Sequence, residues 1–130
     1  MLWALLVWGR RRWRLAQDFG WLNGTYRVTP KLADEPEPGT LSITANKNVL
    51  SIKSEPPGDG SYTGEVVMNE QLPRSGEGHY WQMKGGLLLW GLWEVEVVKE
   101  EKKLLVHRTY ANHKTHAAVV SGFVWEQIAQ

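Results

Sequence analysis

The amino-acid sequence predicts an all-β fold, and three observations support this prediction. Apolar and polar residues alternate in short runs, most clearly where Trp93, Val95 and Val97 are separated by Glu94 and Glu96. Turn signals rich in glycine, proline and asparagine separate these runs at intervals of about a dozen residues, as in all-β sandwiches and barrels. Crossover helices are not evident between the runs, which favours antiparallel pairing over a parallel sheet.

Eight runs of residues are predicted to be β-strands. Residues 40–45 and 49–54 form the clearest hairpin, because each run has one apolar face and the intervening Asn46-Lys47-Asn48 suits a turn. Eight strands in up-and-down order can close into a barrel, which removes exposed edges and can hold one small ligand. We therefore predict an antiparallel barrel over residues 23–130, in preference to a sandwich. The predicted strands are 25–29, 40–45, 49–54, 62–68, 80–84, 87–98, 104–110 and 117–126.

Residues 1–22 are predicted to form a short N-terminal helix, juxtamembrane or amphipathic in character. The apolar run 2–8 is followed by Gly9 and by arginines at 10, 11, 12 and 14. This order matches the cytoplasmic exit of a transmembrane helix, although spanning a bilayer takes about 20 residues, so upstream sequence would be missing. The barrel would then lie at the cytoplasmic face of the membrane, which the family resemblance given below implies to be the bacterial inner membrane. Alternatively, the helix packs across the barrel, and the protein is soluble in the cytoplasm.

The charge distribution argues against binding to DNA or RNA. The chain has 15 basic and 14 acidic residues, but from residue 15 onward 11 basic residues stand against 14 acidic ones. An acidic body is poorly suited to a nucleic-acid backbone, because such binding neutralises many phosphates. Cysteine is absent, which excludes a disulfide framework, a thiolate zinc site and a cysteine nucleophile.

The sequence contains no catalytic signature and no cofactor motif, so we expect that the protein is not an enzyme. His113 and His116 lie close together in a predicted hairpin loop. A catalytic zinc site would also require a third protein ligand and a second shell of supporting groups, which nothing in the pattern specifies. We therefore expect no metal site.

The candidate ligand site is the lumen of the predicted barrel. Leu104, Val106, Arg108 and Tyr110 share one face of their strand. If the aliphatic residues point inward, Arg108 does too, and a buried arginine requires a carboxylate or an anionic ligand. Aromatic side chains would add faces on which nucleobases stack. The alternative for the aromatic residues is that they only fill the core. The alternative for Arg108 is that its side chain points outward. The candidate ligand-binding residues are Arg108, Tyr110, Tyr26, Tyr62, Tyr80 and Trp81.

The order of a basic-stopped apolar segment and an eight-stranded barrel resembles a known family. The resemblance is carried by residues 8–12 (Trp-Gly-Arg-Arg-Arg), 22–26 (Leu-Asn-Gly-Thr-Tyr) and 122–126 (Gly-Phe-Val-Trp-Glu). The chain is similar to the transmembrane effectors of bacterial anti-phage signalling systems that use cyclic oligonucleotides (CBASS and related systems).

The resemblance implies a lipocalin-like barrel that binds a cyclic di- or oligonucleotide. It also implies that attached membrane helices assemble, as a homo-oligomer, and disrupt the inner membrane. The alternative is a lipocalin-like barrel that carries an apolar small ligand or serves as a protein-interaction scaffold.

Overall fold

The computed structural model describes residues 19–31, 39–55, 58, 60–71, 74–111 and 115–130. These residues form a closed antiparallel barrel of eight strands, in which each strand pairs with its sequence neighbours and the last pairs with the first. The predicted all-β class and barrel closure are therefore confirmed. The strands are β1 (Gly24–Pro30), β2 (Thr40–Asn46), β3 (Val49–Glu55), β4 (Tyr62–Met68), β5 (Ser75–Lys84), β6 (Leu87–Val98), β7 (Lys103–Ala111) and β8 (Ala118–Ala129), with 3-10 helices η1 (Gly20–Leu22) and η2 (Lys99–Glu101).

Most predicted strand ends lie within one residue of the structure, β8 extends three residues further to Ala129, and the largest differences are at β5 and at the N-terminal helix. The predicted start of β5 at residue 80 is wrong, because the strand begins at Ser75. Glycines at 76 and 78 suggested a loop, yet both pair with β4 and β6 within the ladder. Of the predicted helix 1–22, residues 1–18 lie outside the described residues, and Gly20–Leu22 form only a 3-10 turn. Within the described part of the chain, no helix has the length and apolar character needed to cross a membrane.

Alternation along the strands separates the interior of the barrel from its outer surface. In β4, every second residue from Tyr62 to Met68 is buried and those between are exposed. Leu50 and Ile52 of β3 and Leu104 of β7 are completely inaccessible to solvent. Successive strand residues point to opposite faces, so the period of two in the sequence places this apolar set inside.

One end of the barrel is closed by the residues that precede β1. Phe19 and Leu22 are buried there, and the Tyr26 hydroxyl donates a 2.8 Å hydrogen bond to the carbonyl oxygen of Leu22. The Gln127 side chain donates to the carbonyl oxygens of Trp21 and Asn23, which holds η1 against β8. We call this the plugged end.

The opposite end, which we call the mouth, follows from the strand order. In an up-and-down barrel, successive connections lie at alternate ends. The connections β2–β3, β4–β5 and β6–β7 therefore lie at the plugged end with η1. The connections β1–β2, β3–β4, β5–β6 and β7–β8 surround the mouth.

The buried hydroxyl of Tyr26 is expected to make stability sensitive to alkaline pH. Burial raises the pKa of this phenol above its usual value of 10.0. The folded state then holds the phenolic proton more tightly than the unfolded state does. The contribution of this proton to the free energy of unfolding is complete below pH 10 and is lost as the pH rises further. Tyr26→Phe should weaken the loss between pH 9 and pH 11, measured by urea unfolding.

The same variant should also be less stable at neutral pH. Without the hydroxyl, the buried carbonyl oxygen of Leu22 loses its donor, which costs about 1–3 kcal/mol. An alkaline profile identical to that of the wild type would contradict the assigned role of Tyr26.

Candidate functional site

Arg108 points into the barrel near the mouth. It follows Leu104 and Val106 on the inward face of β7, and only 5% of its surface is exposed. Its guanidinium carbon lies 4.8 Å from the ring centroids of both Tyr110 and Phe123, within the range of a cation–π interaction. Nη2 of Arg108 lies 3.5 Å from Oγ of Ser121 on β8. The positive charge of Arg108 is thus held between two aromatic rings on the inner side of the barrel.

Four aromatic rings pack together beside Arg108 and line one cavity with it. Tyr80 and Trp93 are stacked with centroids 4.9 Å apart, and Trp125 meets Trp93 edge-on at 5.1 Å. Tyr62 makes edge contacts with both stacked rings. Offset-stacked and edge-to-face arrangements are those that aromatic quadrupoles favour, so the four rings form a well-ordered cluster.

The cluster and Arg108 leave very little empty space. The cavity that they line, together with Val28 and Phe123, has a volume of about 10 Å³. This is about the space of one water molecule, whereas sites for drug-sized ligands measure about 300–1,000 Å³. The side chains therefore fill the lumen.

Glycines in the neighbouring strands make room for these rings. Tyr80 pairs with Gly64 on one side and Gly91 on the other, and a β-carbon at position 91 would lie 2.6 Å from the Tyr80 ring. Trp93 pairs with Gly78, and a β-carbon at position 64 would lie 2.6 Å from the indole. Large rings that lie over cross-strand glycines fix strand register while covering the exposed backbone.

The structure brings together only part of the predicted ligand site. Arg108, Tyr62 and Tyr80 line the cavity, and Tyr110 covers the guanidinium from the mouth side. The other two predicted residues, Tyr26 and Trp81, lie elsewhere. Tyr26 is buried at the plugged end.

Trp81 does not face the lumen, which corrects the sequence-based prediction. Its side chain is 47% exposed on the outer surface, where its ring meets that of His79 edge-on. Because Tyr80 and Trp81 are consecutive in an extended strand, they cannot share a face. The alternation of faces along the strand allows only one of these two side chains to point into the lumen.

Three aromatic residues of the cavity were missing from the predicted site. Trp93 was placed on the apolar face of its strand, but its position opposite Arg108 depends on the β6–β7 register. Phe123 and Trp125 alternate on β8 and reach the cavity through pairing with β7. Alternation along β6 and β8 predicts that all three side chains point inward, whereas their convergence on one cavity depends on the strand register.

A second concavity lies on the outer surface towards the plugged end. It is an open groove of about 640 Å³, lined by residues that include Glu77, Glu94, Glu96 and His107. Glu77 and Glu94 are direct cross-strand partners, and like charges in such positions repel. Across the residues that the structure describes, no group of three or more histidines, cysteines or acids could hold a metal ion. His113 lies outside the described residues, and His116 is exposed.

The fold and the site together define a closed eight-stranded antiparallel barrel with an arginine and an aromatic cluster beneath its mouth. Comparison of the chain with protein-family models, with curated proteins and with solved structures gives no significant match in any of the three.

Proposed function

We propose that this barrel is a lipocalin-like sensing domain that binds a cyclic di- or oligonucleotide second messenger at its mouth. The observation that carries the proposal is the inward placement of Arg108 between Tyr110 and Phe123. A guanidinium presents paired donors that match two phosphate oxygens. Aromatic faces stack on nucleobases of any sequence, and each stack contributes about 1–3 kcal/mol.

The ligand binds across the mouth rather than within the lumen. A cavity of about 10 Å³ cannot hold a nucleotide. Tyr110 is only half-buried and lies between Arg108 and the end of β7, so its ring is the first part of the site that a ligand meets. Displacement of this ring by a nucleobase would open the guanidinium to phosphate.

The biological role that we propose is regulation of a membrane-disrupting effector in bacterial anti-phage defence. This part rests on the apolar, arginine-stopped segment 1–14 and on the family resemblance of the sequence. Ligand binding at the mouth would control the membrane segment at the cytoplasmic face of the inner membrane. The barrel itself acts by binding and not by catalysis.

A thermal-shift series is expected to identify the ligand class. Cyclic di- and trinucleotides are compared with linear dinucleotides, fatty acids and haem. A ligand at 100 times its dissociation constant stabilises by about 2.7 kcal/mol, which raises the Tm of a domain of this size by roughly 10 °C. Arg108→Met should abolish the shift, whereas Arg27→Met, which replaces an exposed arginine on the outside of β1, should preserve it.

The conservative variant Arg108→Lys separates recognition from folding. It keeps the charge but loses the planar pair of donors, so its affinity should fall by at least tenfold while the fold is retained. If no cyclic nucleotide raises the Tm of the wild type, the proposal fails. A shift with fatty acids or haem alone would support an apolar carrier instead.

A protein-interaction scaffold is the second candidate function. It is favoured by the exposed apolar side chains of the β5–β6 hairpin, among them Leu88 at 62% and Trp90 at 64% exposure. Exposed apolar patches of this kind mark interaction sites in soluble proteins.

A further inference from the structure

The outer faces of β5 and β6 are divided into an apolar half near the mouth and an acidic half near the plugged end. Side chains alternate between the two faces of each strand, and the strands are in register. From the mouth, the outward side chains of β6 are Leu88, Trp90, Leu92, Glu94 and Glu96. Those of β5 are Met83, Trp81, His79, Glu77 and Ser75. We call Trp81, Met83, Leu88, Trp90 and Leu92 the apolar patch, and Glu77, Glu94 and Glu96 the acidic row.

The apolar patch is large for a surface in contact with water. Its five side chains are between 47% and 64% exposed, which amounts to on the order of 500 Å² of apolar surface. All five point outward from the sheet, so a strand that pairs with an edge of β5 or β6 does not cover them. Contiguous apolar patches of more than a few hundred Å² mark binding surfaces.

The acidic row carries charges that repel one another. Glu77 and Glu94 are direct cross-strand partners, and like charges in such positions are destabilising. Glu96 is the next outward residue after Glu94 on β6. None of the three carboxylates forms an ion pair with another described residue. A guanidinium, which presents five donors and a permanent charge, is suited to bridging neighbouring carboxylates of this kind.

Residues 2–14 of the same chain carry the complementary pattern, and they carry it in the complementary order. Residues 2–8 are apolar, Gly9 follows, and arginines occupy positions 10, 11, 12 and 14 with no acidic residue among them. Phe19 is buried at the plugged end. A segment that runs from there towards the mouth therefore meets the acidic row with its arginines and then the apolar patch with residues 2–8.

We propose that residues 2–14 dock along the outer faces of β5 and β6, with the arginines on the acidic row and residues 2–8 on the apolar patch. The docked segment neutralises the carboxylates and removes the apolar patch from water in one contact. Docking uses neither the mouth nor Arg108, so it goes beyond the function proposed above and does not depend on it. While it is docked, the segment is withheld from a membrane.

The dimensions of the barrel and of the chain allow this path. Eight strands about 4.8 Å apart and tilted by about 40° form a wall about 16 Å across. Arg10 lies nine residues before Phe19, and a stretch of this length reaches about 30 Å when extended. From Leu92 to Leu88 the apolar patch is about 13 Å long. The apolar run 2–8 would measure about 10 Å as a helix and about 23 Å when extended, so either form covers the patch.

The segment fits this surface better than a lipid bilayer or a second copy does. The cytoplasmic leaflet carries a negative surface potential, which repels the acidic row beside the patch. A second copy that presents the same face brings further glutamates and not cations. The segment alone supplies both the apolar side chains and the positive charge.

Distances between paired nitroxide labels test the docking directly, because the chain contains no cysteine to interfere with labelling. Gly9 joins the two parts of the segment, and Thr109 is the exposed neighbour of Leu92 on β7. Labels on Gly9→Cys and Thr109→Cys should lie within about 20 Å of each other, because Thr109 is one strand spacing from the patch. The control pair, Gly9→Cys with Arg27→Cys on the opposite wall, should lie more than about 25 Å apart.

The expected result is a narrow distance distribution for the pair that includes Thr109. Broad distributions with similar means for both pairs would overturn the proposal. Spin coupling in a mixture of the two singly labelled chains, Gly9→Cys and Thr109→Cys, would identify a second copy as the occupant and would also overturn it.

Trypsin cleavage within the arginine run tests the two halves of the surface separately. Proteolysis follows the population of the undocked form, so Glu94→Lys and Leu92→Lys should each be cleaved there at least about tenfold faster than the wild type. The matched controls are Glu55→Lys on β3 and Val120→Lys on β8, both at exposed sites outside the docking surface. They should be cleaved as the wild type is, with circular dichroism confirming the fold of every variant. Equal rates for all of these proteins would refute the docking.

Flotation with phosphatidylglycerol vesicles distinguishes the segment from lipid as the occupant. Leu92→Lys frees the segment and should therefore float more than the wild type. If Leu92→Lys floats equally or less, the patch does not withhold the segment from the membrane, and the proposal is wrong.

Discussion

Replacing Trp93 with alanine is expected to lower the free energy of unfolding by about 3–5 kcal/mol. The side chain is 3% exposed, stacks on Tyr80 and meets Trp125 edge-on, so its removal leaves a cavity at the centre of the aromatic cluster. Domains of this kind have a total stability of about 5–15 kcal/mol, so the loss is a large fraction of the whole. Urea unfolding at 25 °C, followed by circular dichroism, measures it.

Trp90→Ala is the matched control, because it removes the same side chain from the same strand. Trp90 is 64% exposed, and its removal should change the stability of the monomer by less than about 0.5 kcal/mol. Trp93→Phe should lie between the two variants, since it retains one stacked ring. If Trp93→Ala cost no more than Trp90→Ala, the proposed packing of the cluster would be wrong.

Replacing Gly78 with alanine is expected to destabilise the barrel by about 3 kcal/mol, the upper end of the usual cost of overpacking. A β-carbon at this position would overlap with the carbonyl oxygen of Glu65 and would lie 2.7 Å from the α-carbon of Val66. Both contacts involve backbone atoms of β4, so no side-chain rotation relieves them. β4 and β5 would have to separate, which breaks the ladder between Val66 and Gly78.

Gly39→Ala provides the comparison for this variant. Among the described residues, no atom would lie within 4 Å of a β-carbon at position 39, and Gly39 is not among the glycines with positive φ. Its replacement should leave stability within about 0.5 kcal/mol of the wild type or raise it slightly. Thermal unfolding of the two variants side by side measures the difference. Similar values for both would show that position 78 tolerates a side chain.

The barrel was predictable because its determinants are local. The period-two alternation in β6 and the Asn46-Lys47-Asn48 turn are visible within a few residues. The beginning of β5 was not predictable in the same way. Glycine marks a turn in most sequences, but at 76 and 78 it marks a place where β4 approaches too closely for a side chain. Only the pairing of two strands distinguishes these uses.

The candidate site was predictable only where the pattern within a single strand determines which side chains point into the barrel. The inward face of β7 could be read from Leu104, Val106 and Arg108 in sequence. The approach of Trp93 to Arg108 depends on the pairing of β6 with β7, which a single sequence does not reveal. The volume of the lumen was misjudged for a related reason. Strand number sets the width of a barrel, whereas the size of its side chains decides how much of that width stays empty.

The closure of β8 on both β1 and β7 governs how this chain can fold during synthesis. Thr25 pairs with Ala129, so the first strand finds one of its two partners only when the last strand has left the ribosome. Until then the nascent chain carries two unpaired strand edges as well as the exposed, leucine-rich residues 87–90. Pairing between such distant segments is slow, and the exposed strands are prone to aggregate. We therefore expect the newly made chain to depend on chaperones until β8 has left the ribosome and paired with β1.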